Sequence, residues 1–266
     1  MMQITKTMNS KIPAPDVAII GGVNAFLPEG SESYLLETPF GSVAAHFFNT
    51  GDRNVLIVPR HTNNTKHVPP HKINYRAIVL AIRQLGAERV ISVNSVGTMK
   101  NHPIGSIVLA EDFLDLTKNR ISTFHDDRTV HVDMTEPYCP EIRQTLENVL
   151  KRRKIGFSEG VYACTEGPRF ETKAEIRMMS QFSDVVGMTG VPEVILAKEL
   201  NLCYASICIV TNNACGLDEK KITASEVVDI LQEKRELLFD IIIETIGEIP
   251  AHCNCSCRDS TIDACL

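Results

Sequence analysis

A chain of 266 residues with 44% hydrophobic and 23% charged side chains has the apolar material for a buried core and lacks the polarity that marks disorder. A formal charge of −6 argues against nucleic acid or an acidic membrane surface as partner and leaves a small molecule as the expected one. The longest apolar stretches, such as 202–210, fall far short of the ~20 residues that span a bilayer, and the first fourteen residues carry Lys6 and Lys11 without an apolar export core, so the expected compartment is the cytoplasm.

In chain order, the apolar run 16–20 stops at Gly21-Gly22 and reads as a buried strand opening into a glycine turn. Asn54–Pro59 repeats that pattern, and Tyr75, Ile78, Val79, Ile82 and Leu85 then recur at helical spacing until Gly86. Segments 89–93 and 106–109 read as strands, 140–150 as a helix opened by proline, and 160–164 as a strand. A helix from about Thr172, a strand at 184–186, a helix opened by Pro192-Glu193 and a strand at 203–210 follow. The last helix starts at a capping box, Thr223 with Glu226, and runs to about Ile246. Strands alternating with helices predict a single α/β domain, a mainly parallel twisted sheet flanked by helices, over residues 16–250. Residues 1–15 form an N-terminal extension and 251–266 a Cys-rich tail.

In such a sheet the ligand sits off the carboxyl ends of the strands, so the residues just after each strand are informative. Gly21-Gly22 brings backbone close to an anion, although a plain tight turn fits equally. Arg60, in Pro59-Arg60-His61, is a permanent forked cation suited to phosphate, and a His-rich loop follows it. Asn94-Ser95-Val96-Gly97-Thr98 reads as a strand end whose N–H groups can form an anion nest. Phe170-Glu171 places a flat ring beside a hydrogen-bond acceptor at a helix start, which suits a heterocycle. Thr189 lies ahead of a helix N-terminus, a natural anion site. Thr211-Asn212-Asn213 places amides after a buried strand.

Taken in order, Ile19-Ile20-Gly21-Gly22, Pro59-Arg60-His61, Pro69-Pro70-His71, Asn94-Ser95-Val96-Gly97, Glu166-Gly167-Pro168-Arg169-Phe170, Gly187-Met188-Thr189 with Val191-Pro192-Glu193, and Thr211-Asn212 resemble the trimeric purine nucleoside phosphorylase and methylthioadenosine phosphorylase family. The resemblance implies the nucleoside phosphorylase fold and a pentosyltransferase of purine salvage. Such an enzyme cleaves a purine nucleoside with phosphate to free base and ribose 1-phosphate, without metal or organic cofactor. By the resemblance Arg60, His61, Asn94, Ser95 and Thr189 surround phosphate, Met188 faces the ribose, Phe170 stacks near the base and Asn212 stands at N7 of the leaving purine. His131 resembles the histidine that lines a neighbouring subunit's 5′ pocket, which implies a homotrimer or a dimer of trimers. Val23 departs from the Ser or Thr usual after Gly-Gly, so Asn24 or backbone amides compensate or phosphate binds more weakly. The loop after Arg60 is one residue longer than usual, leaving Thr65, Lys66 or His67 at the place of the second histidine.

Methylthioadenosine phosphorylases usually carry two acids after the buried strand and Ser where this chain has Glu171; here stand Asn212 and Ala214. An amide donates to O6 of a 6-oxopurine and accepts from its N7–H, while Glu171 accepts from N1–H, which adenine lacks. Each mismatched buried partner costs about 1–3 kcal/mol. At the sugar end Ala224 stands where 6-oxopurine phosphorylases place a histidine for the 5′-hydroxyl, which leaves room for a methylthio group. The two ends together predict 5′-methylthioinosine as substrate, with inosine and guanosine, or methylthioadenosine, as alternatives. A purine-binding relative without turnover is the non-enzymatic alternative.

The tail cysteines Cys253, Cys255, Cys257 and Cys265 leave three accounts open: a reduced mobile tail, a disulfide pair, or a metal site with Cys265. Single-residue spacings are unlike the usual zinc knuckle. The resemblance, through a Cys-x-Cys ending found in some members, points to disulfides.

Overall fold

The computed structural model describes residues 12–22, 25–63, 66–250 and 252–265. Its elements in chain order are β1 (Val17–Gly21), β2 (Glu32–Thr38), β3 (Gly41–Asn49), β4 (Asn54–Pro59), the short β5 (Thr62–Asn63) and β6 (Lys66–His67), and α1 (Tyr75–Gln84). β7 (Arg89–Thr98), β8 (Ile107–Leu116), α2 (Pro140–Arg152), β9 (Phe157–Thr165) and α3 (Lys173–Met179) follow. The chain continues with β10 (Val185–Gly187), α4 (Gly190–Glu199), β11 (Cys203–Asn213) and α5 (Ala224–Glu248).

The sheet is nine-stranded in the order β10-β9-β8-β11-β7-β1-β4-β3-β2. Its centre, β4-β1-β7-β11, is parallel and made of near-continuous apolar runs, as strands covered on both faces require. The expected α/β class holds, but the sheet is mixed: β2 and β3 form an antiparallel hairpin on one edge, and β8 runs antiparallel to β11. That hairpin escapes the apolar-run criterion because only Tyr34 and Leu36 of β2 are buried, alternating with more exposed residues. β10 pairs with β9 and also with the end of β7, so the second half of the sheet curls back on itself. This closure carries the segment after β10 to the ends of β7 and β11.

One face buries Ile78, Ile82, Val194 and Leu196 of α1 and α4; the other buries Ile142, Leu146, Ile241 and Ile242 of α2 and α5. Each fully buried Leu or Ile side chain is worth about 1.5–3 kcal/mol over exposure. α5 begins at the expected capping box, in which Thr223 accepts from the Glu226 N–H and Glu226 from the Thr223 N–H. α3 has the same device in Thr172 and Glu175. The tail packs against the α2/α5 layer, with Cys257 buried. No helix among the described residues is long and apolar enough to cross a membrane.

Candidate active site

The ends of β4, β7, β10 and β11 open into one cleft of about 320 Å³, within the usual size range of small-molecule sites. Gly22, Arg60, His61, Ser95 and Thr189 line one part, and Phe170, Glu171, Met188, Asn212 and Ala224 the rest. Val23, Asn24 and Thr65 lie outside the described residues. Asn94 and His131 are the expected site residues that do not face this cleft.

Arg60 is 2% exposed, and its fork is occupied from within the protein. Nε and one terminal nitrogen donate to the two carboxylate oxygens of Glu193 at 2.7 and 3.1 Å. The other terminal nitrogen donates to Val93 O at 2.8 Å and Asn94 Oδ1 at 3.1 Å, and lies 3.4 Å from Thr189 Oγ1. Burial opposes the guanidinium charge, yet the Glu193 carboxylate holds the Arg60 pKa above its ordinary value. Glu193 is completely buried and also accepts from the Ser92 and Tyr204 hydroxyls at 3.0 and 2.9 Å. A charge so placed survives only with this full set of partners.

Asn94, also completely buried, accepts from Thr189 Oγ1 at 2.8 Å and donates to Ser92 and Ser206. Its amide is spent orienting Thr189 and Arg60, which corrects the expectation that it surrounds phosphate directly. Two further expectations change. The 94–98 segment is no nest: it extends β7, paired residue by residue with β11. The N–H groups of Thr189 and Gly190 are 3.2 and 3.3 Å from the Tyr162 hydroxyl, which accepts from both, so this helix start does not offer those two donors to an anion. The regular turns of α4 begin only after Val191 and Pro192, whose backbone angles are not helical.

His61 presents its Nδ1 to Val68 O at 3.0 Å. A carbonyl only accepts, so Nδ1 carries the proton and Nε2 is left as an acceptor. Burial and the neighbouring Arg60 charge lower the His61 pKa to about 4, so the ring is neutral near pH 7. The His67 ring stacks on it, centroids 5.7 Å apart, and lines the cleft; His67, not the exposed Lys66, shares the site with His61.

A bulge at Thr211 shifts the register of β11 on β7 from Val210↔Val96 to Asn212↔Gly97 and turns Asn212 into the cleft. Asn212 Oδ1 accepts from Thr211 Oγ1 at 2.9 Å, and its Nδ2 donates to Asn213 O at 2.9 Å. These partners fix which way the amide points and leave one further N–H and one further lone pair for a ligand. A side chain on Gly97 would begin 3.0 Å from that Nδ2, which is why glycine stands there. Glu171, 7% exposed, accepts from Thr165 Oγ1 at 2.6 Å through one oxygen. Phe170 is exposed at the cleft mouth and Met188 is half-buried, the latter pressed by Gly167, where an added Cβ would lie 2.5 Å from its sulfur. Arg120 reaches from the loop after β8 to the carbonyls of Val191, Thr165 and Glu166, tying the Phe170 loop to the Thr189 segment.

Residues 16–247 match a family described as the phosphorylase superfamily. The chain belongs to this superfamily. It is 54% identical over 259 residues to a protein of Methanosarcina acetivorans named "Probable S-methyl-5'-thioinosine phosphorylase", covering 97% of this chain and 100% of that one. It is 43% identical to the "6-oxopurine nucleoside phosphorylase" of Pyrococcus furiosus, covering 92% of this chain and 97% of the relative. Among solved structures, a methylthioadenosine phosphorylase from an antarctic soil metagenomic library superposes with a TM-score of 0.86 at 27% identity, over 96% of this chain and 93% of that one. The Schistosoma mansoni methylthioadenosine phosphorylase in complex with adenine gives 0.85 at 28%, over 94% and 99%.

For this phosphorylase the residues whose role was not read from sequence are those behind the cleft wall: Glu193, named there only within a motif, Ser92, Tyr204, Tyr162 and Arg120. A signal existed for Glu193, a lone acid followed by the apolar Val194-Ile195-Leu196-Ala197. Ser92 and Tyr204 carried none, since a hydroxyl inside an apolar strand gives no sign of its partner. His131 is exposed in the segment between β8 and α2, away from the cleft of its own chain, where its N–H donates to Ala264 O at 2.7 Å.

Proposed function

We propose that this chain cleaves a purine nucleoside with inorganic phosphate, that 5′-methylthioinosine is the preferred substrate, and that the working unit is a homotrimer in which His131 serves a neighbour's 5′ pocket. The observation that carries the base preference is the oriented Asn212 amide, with one free donor and one free acceptor, in the same cleft as the Glu171 carboxylate. That set matches O6, N7–H and N1–H of a 6-oxopurine. It mismatches adenine, which presents a donor at N6 in place of the O6 acceptor and an unprotonated N1 in place of N1–H. The names of the two relatives point the same way.

Phosphate is assigned to the end lined by Gly22, Arg60, His61, Ser95 and Thr189. The Arg60 charge is largely balanced by Glu193, so this pair supplies a fixed dipole and a rigid scaffold more than a free cation. His61 Nε2 accepts a hydrogen bond from the P–OH of HPO₄²⁻, which turns an unprotonated phosphate oxygen toward the sugar. That oxygen forms the new bond to C1′ while the C1′–N9 bond breaks, and its electron pair leaves with the purine. The phosphate gives up its proton to solvent as the ester dianion forms, and the departing purine takes one up from solvent at N7, where Asn212 Oδ1 accepts from the new N7–H. Positioning of the anion beside a sugar with oxocarbenium character supplies most of the acceleration. Phosphate is the co-substrate, and these contacts are assigned to side chains of the cleft.

At the 5′ end, Ala224, Val227 and Val228 present an apolar wall with no partner for a hydroxyl. A methylthio group gains contact there that a hydroxyl does not, worth ~1–3 kcal/mol. The test is phosphate-dependent base release from 5′-methylthioinosine and 5′-methylthioadenosine. Hypoxanthine release at least tenfold more efficient than adenine release is expected; equal or better turnover of the adenine compound overturns the reading. Ligand stabilisation without any product would identify a binding protein.

A further inference from the structure

We propose that Cys139, Cys203, Cys255 and Cys257 form a closed tetrathiolate site for one Zn²⁺ ion, on the side of the sheet covered by α2 and α5. The four sulfurs lie within 4.8 Å of one another. Cys255 Sγ is 3.5 Å from both Cys139 Sγ and Cys203 Sγ. In a tetrahedral zinc site with bonds of about 2.3 Å, neighbouring sulfurs stand about 3.8 Å apart. The sulfurs are thus already gathered at nearly that spacing around one point, whereas a disulfide draws only two of them together, to about 2.05 Å.

The supporting framework suits a structural metal. Cys139 is the residue before the first turn of α2, and Cys203 is the first residue of β11, both fixed in the core and at most 1% exposed. The tail supplies the other two, with Cys257 buried and Cys255 half-buried. Two ligands one residue apart look wrong for zinc only when all four are sought along the chain; here the other two come from distant elements. Cys265, named in only one of the three accounts of the tail, is exposed, and its backbone pairs with Val130. Cys253, half-buried like Cys255, is an adjacent thiol whose sulfur is 2.9 Å from Cys255 Sγ and 3.1 Å from Cys203 Sγ.

Binding exchanges four thiol protons, released to solvent, for four zinc–sulfur bonds, with no change of oxidation state. The ion staples the tail to the edge of the core. The same tail holds the 130–133 segment through His131 N–H to Ala264 O and Asp133 N–H to Ser260 O, so the staple also steadies the segment that carries His131.

The test uses the full chain, purified under reductant without chelator. One zinc per chain by mass spectrometry is expected. The reduced, metal-free protein titrated with Co²⁺ should give the absorption of a tetrahedral thiolate complex at one equivalent. Cys139→Ser and Cys257→Ser should each weaken Co²⁺ binding by at least ~10-fold, while Cys265→Ser and Cys215→Ser leave it unchanged. Because a ligand variant can fail to fold, the wild-type titration decides alone. Its failure to develop the thiolate spectrum overturns the site, as does isolation of metal-free protein with these cysteines joined in disulfides. Loss of the spectrum in Cys253→Ser but not in Cys257→Ser overturns the ligand assignment. None of these results depends on turnover, so they are independent of the proposed reaction.

Discussion

Replacing Asn212 by Asp tests the base preference at its source. The native amide donates from Nδ2 to Asn213 O at 2.9 Å and accepts from Thr211 at the other end, so an aspartate in the same place sets a carboxylate oxygen against a carbonyl oxygen. That oxygen can stay only by carrying a proton or by turning toward the cleft. Either way the donor to O6 is lost or reassigned, and a protonated carboxyl gains the ability to donate to an unprotonated N7. Two mismatched contacts at about 1–3 kcal/mol each correspond to ~30-fold or more in the ratio of catalytic efficiencies. Hypoxanthine and adenine release from the two methylthio nucleosides, measured with wild type, N212D and N212A, gives that ratio directly. The expected outcome is a loss of 6-oxopurine turnover of ~10²-fold in both variants, with recovery of relative 6-aminopurine turnover only in N212D. An unchanged ratio in N212D means that the base is read elsewhere, and the orientation argument then fails.

Ala224→His should raise the efficiency on inosine relative to methylthioinosine by ~10-fold or more, since it adds a hydroxyl partner to the apolar wall and removes space from it; parallel kcat/KM values check this. Glu193→Gln leaves the Arg60 charge buried without its counter-ion, and a loss of ~3–5 kcal/mol in denaturant stability is expected, together with a raised KM for phosphate. His61 has its pKa lowered from 6.5 to about 4 by burial and the Arg60 charge, so between those values the unfolded chain takes up a proton that the folded chain refuses. Its stability term is therefore complete above pH 6.5 and is lost as pH falls toward 4, by up to ~3 kcal/mol, seen as the difference between the pH–stability curves of wild type and His61→Gln.

The parallel centre of the sheet was legible because continuous apolar runs such as Asn54–Pro59 have few other uses, and both long helices on one face announced themselves by proline or a capping box. The ends of the strands were less so. Asn94 to Thr98 reads as a strand end able to form an anion nest because its residues are small and polar, yet pairing with β11 and β10 keeps it extended. Cleft residues such as Asn212 and Phe170 could be singled out from sequence because one follows a buried strand and the other precedes a helix, each with an unusual side chain for its place. What holds them could not, because a partner such as Glu193 for Arg60 is 133 residues away and only the fold joins the two. The same limit hid the cysteine cluster, in which Cys139 meets Cys255 across 116 positions.

In the proposed reading the two ends of the substrate are recognised by different elements that line one cleft. Asn212 sits on a sheet bulge locked by Thr211 and crowded by Gly97, whereas Ala224 opens α5 beyond an exposed connection in which Asp218 accepts from Asn213 Nδ2 and from the Lys220 N–H. The Asn212 amide bonds to Thr211 and Asn213 and not to Ala224, so a substitution at position 224 removes none of these partners. Separate sites without shared partners combine additively to within about 0.5 kcal/mol. Wild type, N212D, A224H and the double variant form a cycle on inosine, methylthioinosine and their adenine counterparts. The effects on base preference and on 5′ preference should each be the same in both backgrounds to about that margin. A coupling above ~1 kcal/mol would show that the base and the 5′ group are recognised through a common movement of the connection, and the separate readings of Asn212 and Ala224 would have to be replaced by one.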